Sequence, residues 1–130
     1  MIENLTPQQS WELMQANPDA VLIDVRTKVE HDFVGRPLNA VHVPWKEAPE
    51  WQLNPDFIAQ VRQAVNDTGS PVLLLCRSGA RSLSAAEALQ QAGFTHLVNI
   101  LQGFEGDLDD NKHRGNLSGW RYAQLPWEQS

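Results

Sequence analysis

A single cysteine, Cys76, stands between the apolar run Val72-Leu73-Leu74-Leu75 and the segment Arg77-Ser78-Gly79-Ala80-Arg81-Ser82. A buried strand that gives way to small residues, two arginines and then a helix is built to hold an anion. The first amides of a helix lack internal partners and carry partial positive charge. Ser78, Gly79 and Ala80 add little bulk, so the backbone can curl until several N–H groups converge on the Cys76 sulfur. Thiols placed beside helix N-termini and cations ionise more readily, and the thiolate is the form that attacks sulfur. Arg77 and Arg81 keep their charge at any working pH. The expected site is therefore Cys76 as nucleophile, residues 77–81 as the substrate-binding loop, and Ser82 in support. A cysteine after three leucines also reads as a buried apolar filler. A core position, however, gains nothing from two arginines beside it.

The elements that must position this loop follow from caps and periodicity. Thr6-Pro7-Gln8-Gln9 opens a helix with a capping box and a first-position proline, and Asn17-Pro18-Asp19 ends it. The spacing predicts a strand over 21–26, apolar at its start and charged at its end, and a short helix behind the Thr27/Glu30 capping pair. A second short strand is expected over 40–43, closed by Pro44, and a helix after Asn54-Pro55 with Phe57, Ile58, Val61 and Val65 facing a core. Val72 to Leu75 is the clearest buried strand. Ser82 to Gln91 reads as a helix through Leu83, Ala86 and Leu89, and Leu97 to Leu101 as the last strand. Strands alternating with helices give an α/β fold: one domain over 1–130, with a mostly parallel central sheet flanked by helices on both faces. Ligands of such sheets sit at the carboxyl ends of the strands, which brings Asp24, Arg26 and Cys76 into one neighbourhood. Residues 104–130 form a loop-rich tail, pinned by Trp120 and Trp127.

The bulk numbers exclude other classes. Hydrophobic residues make up 42% of the chain and charged residues 20%, ordinary globular values. A net charge of -6 disfavours nucleic acid as a partner. No apolar run is long enough to span a membrane, and the first residues lack the pattern of a secretory leader. One cysteine permits no internal disulfide, so a reducing, cytoplasmic address is expected. His31, His42, His96 and His113 share no ligand spacing with Cys76, so no metal is expected. Asp107-Leu108-Asp109 begins like a calcium loop. Lys112 then stands where the turn glycine belongs and Ser118 where the glutamate belongs.

At this point the sequence resembles the rhodanese family. Cys76 to Ser82 is similar to the active loop of small bacterial rhodanese domains. Leu22-Ile23-Asp24-Val25-Arg26 with Glu30 and Gly35, and Ala40-Val41-His42-Val43-Pro44, resemble the family's first signature. Asn99 to Phe104 and the stretch Trp120 to Trp127 resemble its last segments, so the likeness runs from about residue 5 to 127. Two departures stand out. Gly35-Arg36-Pro37-Leu38-Asn39-Ala40 replaces the usual Gly-His-Ile-Pro-Gly-Ala, and Phe104 replaces the second of two glycines. The resemblance implies a sulfurtransferase without a bound cofactor, working through a covalent persulfide on Cys76. The donor would be a small anion such as thiosulfate, and the acceptor cyanide, a small thiol or a protein thiol. It also implies that Asp24 and Arg26 form a buried charged pair under the loop and that Glu30 braces an arginine, with Arg81 the candidate.

Two other functions share these residues. A cysteine phosphatase needs five residues between cysteine and arginine to cradle a phosphate, whereas Cys76 and Arg81 enclose only four. A carrier module would take sulfur from a protein partner and hand it on through the same Cys76. Arg36 belongs either to a positive rim or to solvent. Trp45 and Trp51 either flank a loop bordering the site or act as anchors.

Overall fold

The computed structural model describes every residue from Met1 to Ser130. Five short strands form one parallel sheet: β1 (Ile2–Leu5), β2 (Val21–Asp24), β3 (Val41–His42), β4 (Val72–Leu75) and β5 (Leu97–Ile100). Their order across the sheet is β1-β5-β4-β2-β3. Three helices accompany them: α1 (Pro7–Ala16), α2 (Phe57–Ala64) and α3 (Ala80–Gln91). The capping box forms as its residue types dictate, Thr6 accepting from the Gln9 amide and Gln9 accepting from that of Thr6. Such a cap is worth about 1 kcal/mol.

All four residues of β4 are fully buried, because both faces of the sheet are covered. On one face Val72 and Leu74 pack with Phe57 and Val61 of α2 and with Ala85, Ala86 and Leu89 of α3. On the other, Leu73 and Leu75 meet Trp11 and Met14 of α1, together with Phe104, Trp120 and Leu125 of the C-terminal segment. The two-residue period of a strand then decides where the next side chain goes. Cys76 follows Leu74 in parity and falls on the α2/α3 face.

The structure departs from the sequence expectations in several places. β1 was not anticipated; its ends are half-buried and its middle exposed, a pattern without a clear period. β2 stops at Asp24 rather than residue 26, although the Val25 amide still bonds the Leu75 carbonyl at 2.9 Å. The Thr27/Glu30 capping pair forms, but it opens a π-turn over Glu30–Val34, closed by Gly35 N–H to Glu30 O at 3.2 Å. Helix α2 begins at Phe57 after a turn, and Ile58 and Val65 are only half-buried. Helix α3 begins at Ala80, two residues early, and its inward face is Ser82, Ala85, Ala86 and Leu89, with Leu83 turned outward. The tail consists mostly of turns, yet Trp127–Glu128 pairs antiparallel with Arg36–Pro37. Trp120 is fully buried, whereas Trp127 lies on the surface with its ring edge-on to Phe104.

Candidate active site

The Cys76 sulfur sits where β4 hands over to α3. Gly79 takes a left-handed conformation, φ 117°, just before the helix, and this turn aims its N–H at Sγ from 3.0 Å. Several amides were expected to converge on the sulfur; only that of Gly79 reaches it. The second contact is the Ser82 hydroxyl, 3.3 Å from Sγ, one turn into α3. Cys76 is 1% exposed and packs within the apolar cluster between the sheet, α2 and α3, so its thiol is covered in this structure.

Arg81 points across the loop to Glu30, donating Nη1 to Oε1 at 2.8 Å and Nη2 to Oε2 at 2.9 Å. Burial alone would raise the Glu30 carboxyl; Arg81, helped by the Thr27 amide and hydroxyl, instead holds it below the ordinary carboxylate range. The hydrogen bonds to Glu30 hold Arg81 above its ordinary value against the opposing effect of burial, and the Cys76 sulfur and Asp24 add to this through charge. Below the loop, Asp24 and Arg26 are wholly buried and joined at 2.7 Å. Burial raises the Asp24 carboxyl, but His31 and Arg26 outweigh it and the net direction is downward. The Arg26 guanidinium lies over the Phe104 ring, 4.7 Å from its centre, and donates Nη2 to the Gly35 carbonyl. Phe104, which stands where a second glycine was expected, is thus the lid of this ion pair.

A second strut comes from the chain after β5. The Phe104 amide bonds the Cys76 carbonyl at 2.8 Å, and the Glu105 and Gly106 amides bond the Arg77 carbonyl at 3.1 and 3.3 Å. Gly103 makes this approach possible: a Cβ there would sit 2.4 Å from the Cys76 carbonyl oxygen. Sequence reasoning missed this role, although the glycine itself was visible.

Above the loop opens a cleft of about 570 Å³, lined among others by Val29, Glu30, Trp51, Arg77, Arg81 and Arg114. Trp51 is half exposed and lies over the Arg81 guanidinium at 5.6 Å. Trp45, by contrast, packs edge-on against Phe57 in the core. Arg36 is drawn away to Glu128, Ser130 and the His31 carbonyl, and so is bound to the C-terminal strand. Arg114 and Glu105, which join the cleft from the tail, had no signal in the sequence; Asn99, which accepts the Ser82 proton at 2.6 Å, showed there only as the start of a family-like segment. No three His, Cys, Asp or Glu side chains gather at ligand spacing, and no helix is long and apolar enough to cross a membrane.

Comparison with known proteins identifies the family and the fold. The family model of the rhodanese-like domain matches residues 6–109. An uncharacterised protein of Rickettsia conorii is 34% identical over 98% of both chains. A thiosulfate sulfurtransferase of Glaesserella parasuis is 33% identical, covering 78% of this chain and 82% of its own. Among solved structures, Rv0390 from M. tuberculosis superposes with a TM-score of 0.88 at 43% identity over 98% of each chain.

Proposed function

Because the chain belongs to the rhodanese-like domain family, we propose that it is a sulfurtransferase that carries a sulfane sulfur as a persulfide on Cys76. The observation that carries this reading is the Gly79 N–H aimed at Cys76 Sγ from 3.0 Å at the start of α3. A donor amide in that position stabilises an ionised sulfur and gives nothing to an apolar filler.

The Cys76 thiolate attacks the outer sulfur of a small anionic donor such as thiosulfate. The donor's S–S bond breaks, its electron pair leaves with sulfite, and the sulfane sulfur stays bound to Sγ. An acceptor thiolate, or cyanide, then attacks that outer sulfur, and the electron pair of the Sγ–S bond returns to Cys76. No cofactor takes part. Arg77 meets the donor's negative charge at the mouth of the cleft. A volume of about 570 Å³ lies within the range of small-molecule sites, about 300–1,000 Å³. It far exceeds what an inorganic anion needs, and this favours an acceptor thiol on an organic body. The use of one cysteine as a free thiol suits a reducing compartment such as the cytoplasm.

Intact-protein mass spectrometry after incubation with thiosulfate tests the proposal. The expected result is a gain of one sulfur atom, roughly 32 Da, removed by cyanide or dithiothreitol and absent in Cys76→Ser. A wild-type protein that takes up no sulfur from thiosulfate, polysulfide or a persulfidated protein refutes it. Uptake from the protein donor alone assigns the chain to the carrier role.

A further inference from the structure

A chain of hydrogen bonds runs from the nucleophile through the sheet to its edge. Cys76 Sγ lies 3.3 Å from Ser82 Oγ, Ser82 Oγ donates to Asn99 Oδ1 at 2.6 Å, and Asn99 Nδ2 donates to Asn4 Oδ1 at 3.1 Å. Ser82 and Asn99 are buried, at 0% and 3% exposure, whereas Asn4 on the edge strand β1 faces solvent. A polar asparagine in the interior of a parallel strand costs stability unless it is satisfied, and both ends of this one are occupied.

The direction of the chain matters for the sulfur. Ser82 has one proton, with Asn99 Oδ1 at 2.6 Å and the Gly79 carbonyl at 3.1 Å as its acceptors. With that proton on Asn99, the Ser82 oxygen turns a lone pair toward Sγ. A thiol can donate into that lone pair; a thiolate or a persulfide anion is repelled by it. A carboxamide offers an acceptor on one side and donors on the other, in nearly the same shape. Turning Asn99 over places its NH₂ against Ser82, which releases the hydroxyl to donate to sulfur. Asn4, free to turn in water, then donates to Asn99 Oδ1. Every group keeps a partner in both directions.

We propose that Asn99 is a positioning residue for sulfur transfer, reversing with Asn4 so that Ser82 accepts from the Cys76 thiol and donates to the thiolate and persulfide. This rests on the reading of Cys76 as the sulfur carrier. The reversal moves no heavy-atom frame and needs no exchange of protons with solvent beyond the one lost by the thiol.

Side-chain amide NMR of ¹⁵N-labelled protein tests it directly. Spectra are compared for the reduced protein, at pH values below and above the rise of Cys76 alkylation, and for the persulfide made with thiosulfate. The Asn99 and Asn4 NH₂ signals should move together, with Asn99 cross-relaxation passing from Asn4 to Ser82, and neither should move in Cys76→Ser. Signals that keep their contacts in all forms overturn the proposal. A kinetic arm uses iodoacetamide at one neutral pH. Asn99→Asp, which can only accept, should slow alkylation about 10-fold, the loss of one charge-assisted hydrogen bond. Asn99→Leu, which neither accepts from Ser82 nor donates to it, should slow alkylation clearly less than Asn99→Asp, because Ser82 is free to turn. Equal slowing in both variants, or none in Asn99→Asp, overturns the proposal. Alkylation needs no sulfur donor, so the two readings fail separately. Reversing amides with no adduct from thiosulfate, polysulfide or a persulfidated protein sink the proposed function alone, and an adduct with unmoved amides sinks this inference alone.

Discussion

Arg81 and Glu30, 51 residues apart in sequence, meet as a two-point ion pair at 2.8 and 2.9 Å across the mouth of the active loop. The pair ties the first turn of α3 to the π-turn after β2, so the loop is held from both sides of the cleft. It also changes which charge is free. Arg81 is already spoken for by a carboxylate, whereas Arg77 and Arg114 line the same cleft without one. Arg81 is therefore a structural cation, and in the proposed reaction Arg77 is the one left to meet an incoming anion.

From that division of labour, Arg77→Ala should raise KM for thiosulfate about tenfold, roughly 1.4 kcal/mol of binding, with kcat within about threefold. Because Arg77 is exposed, the wild-type advantage should shrink as ionic strength rises. Steady-state thiocyanate assays at low and high salt measure both. A fall in kcat at unchanged KM would instead place Arg77 in the transfer step.

Acid should loosen the site from below. Asp24 and Glu30 are both held beneath the ordinary carboxylate range, near 4. Their contribution is thus complete above that range and lost as pH falls through and below it. Melting temperature followed from pH 7 downward should decline steeply in this acid window. Glu30→Gln should begin lower at pH 7, by about 1–3 kcal/mol for a lost charged hydrogen-bond pair, and then decline less. The two curves should converge at the acid end, and parallel curves would deny Glu30 this role.

Much of this arrangement was legible before any coordinates, and the reasons are local. Burial is written plainly in the unbroken apolar run Val72-Leu73-Leu74-Leu75, and parity from Leu74 fixes the face on which Cys76 falls. Thr6 and Gln9 announce α1 through their own hydrogen bonds. What stayed hidden depends on pairing at a distance. β1 exists because Ile2–Leu5 finds Leu97–Ile100, and nothing in the exposure pattern of those four residues says so. Asn99 looks like an interruption in an apolar strand until Ser82 is placed beside it. Arg36 looked available for the site until the C-terminal Glu128 came within reach.

Two glycines with positive φ separate close approach from mere conformation. Gly103 (φ 58°) has the Cys76 carbonyl oxygen 2.4 Å and the Arg77 carbonyl carbon 2.6 Å from where a Cβ would lie. Gly93 (φ 102°) has nothing within 4 Å. Gly93→Ala should cost about 1–2 kcal/mol in urea unfolding, the strain of the backbone alone. Gly103→Ala should cost more, about 3–5 kcal/mol, and should lower sulfur loading of whatever protein remains folded, because the Cys76–Arg77 peptide must move aside. Equal costs at the two positions would mean that the strut after β5 yields without disturbing the loop.

The shape of the cleft predicts a split between acceptors. Trp51 is 51% exposed, stacks over an arginine already paired with Glu30, and shares the cleft with Val29 and Arg114. In the proposed reaction, an aromatic face left open beside Arg81 is useful to a thiol with an organic body and irrelevant to cyanide, which needs only a path to the outer sulfur. Trp51→Ala should therefore raise KM for an organic thiol acceptor about 5- to 10-fold, roughly 1–1.4 kcal/mol, while leaving the cyanide reaction within about twofold. Losses of the same size for both acceptors would mean that Trp51 supports the loop through Arg81 and does not receive the acceptor.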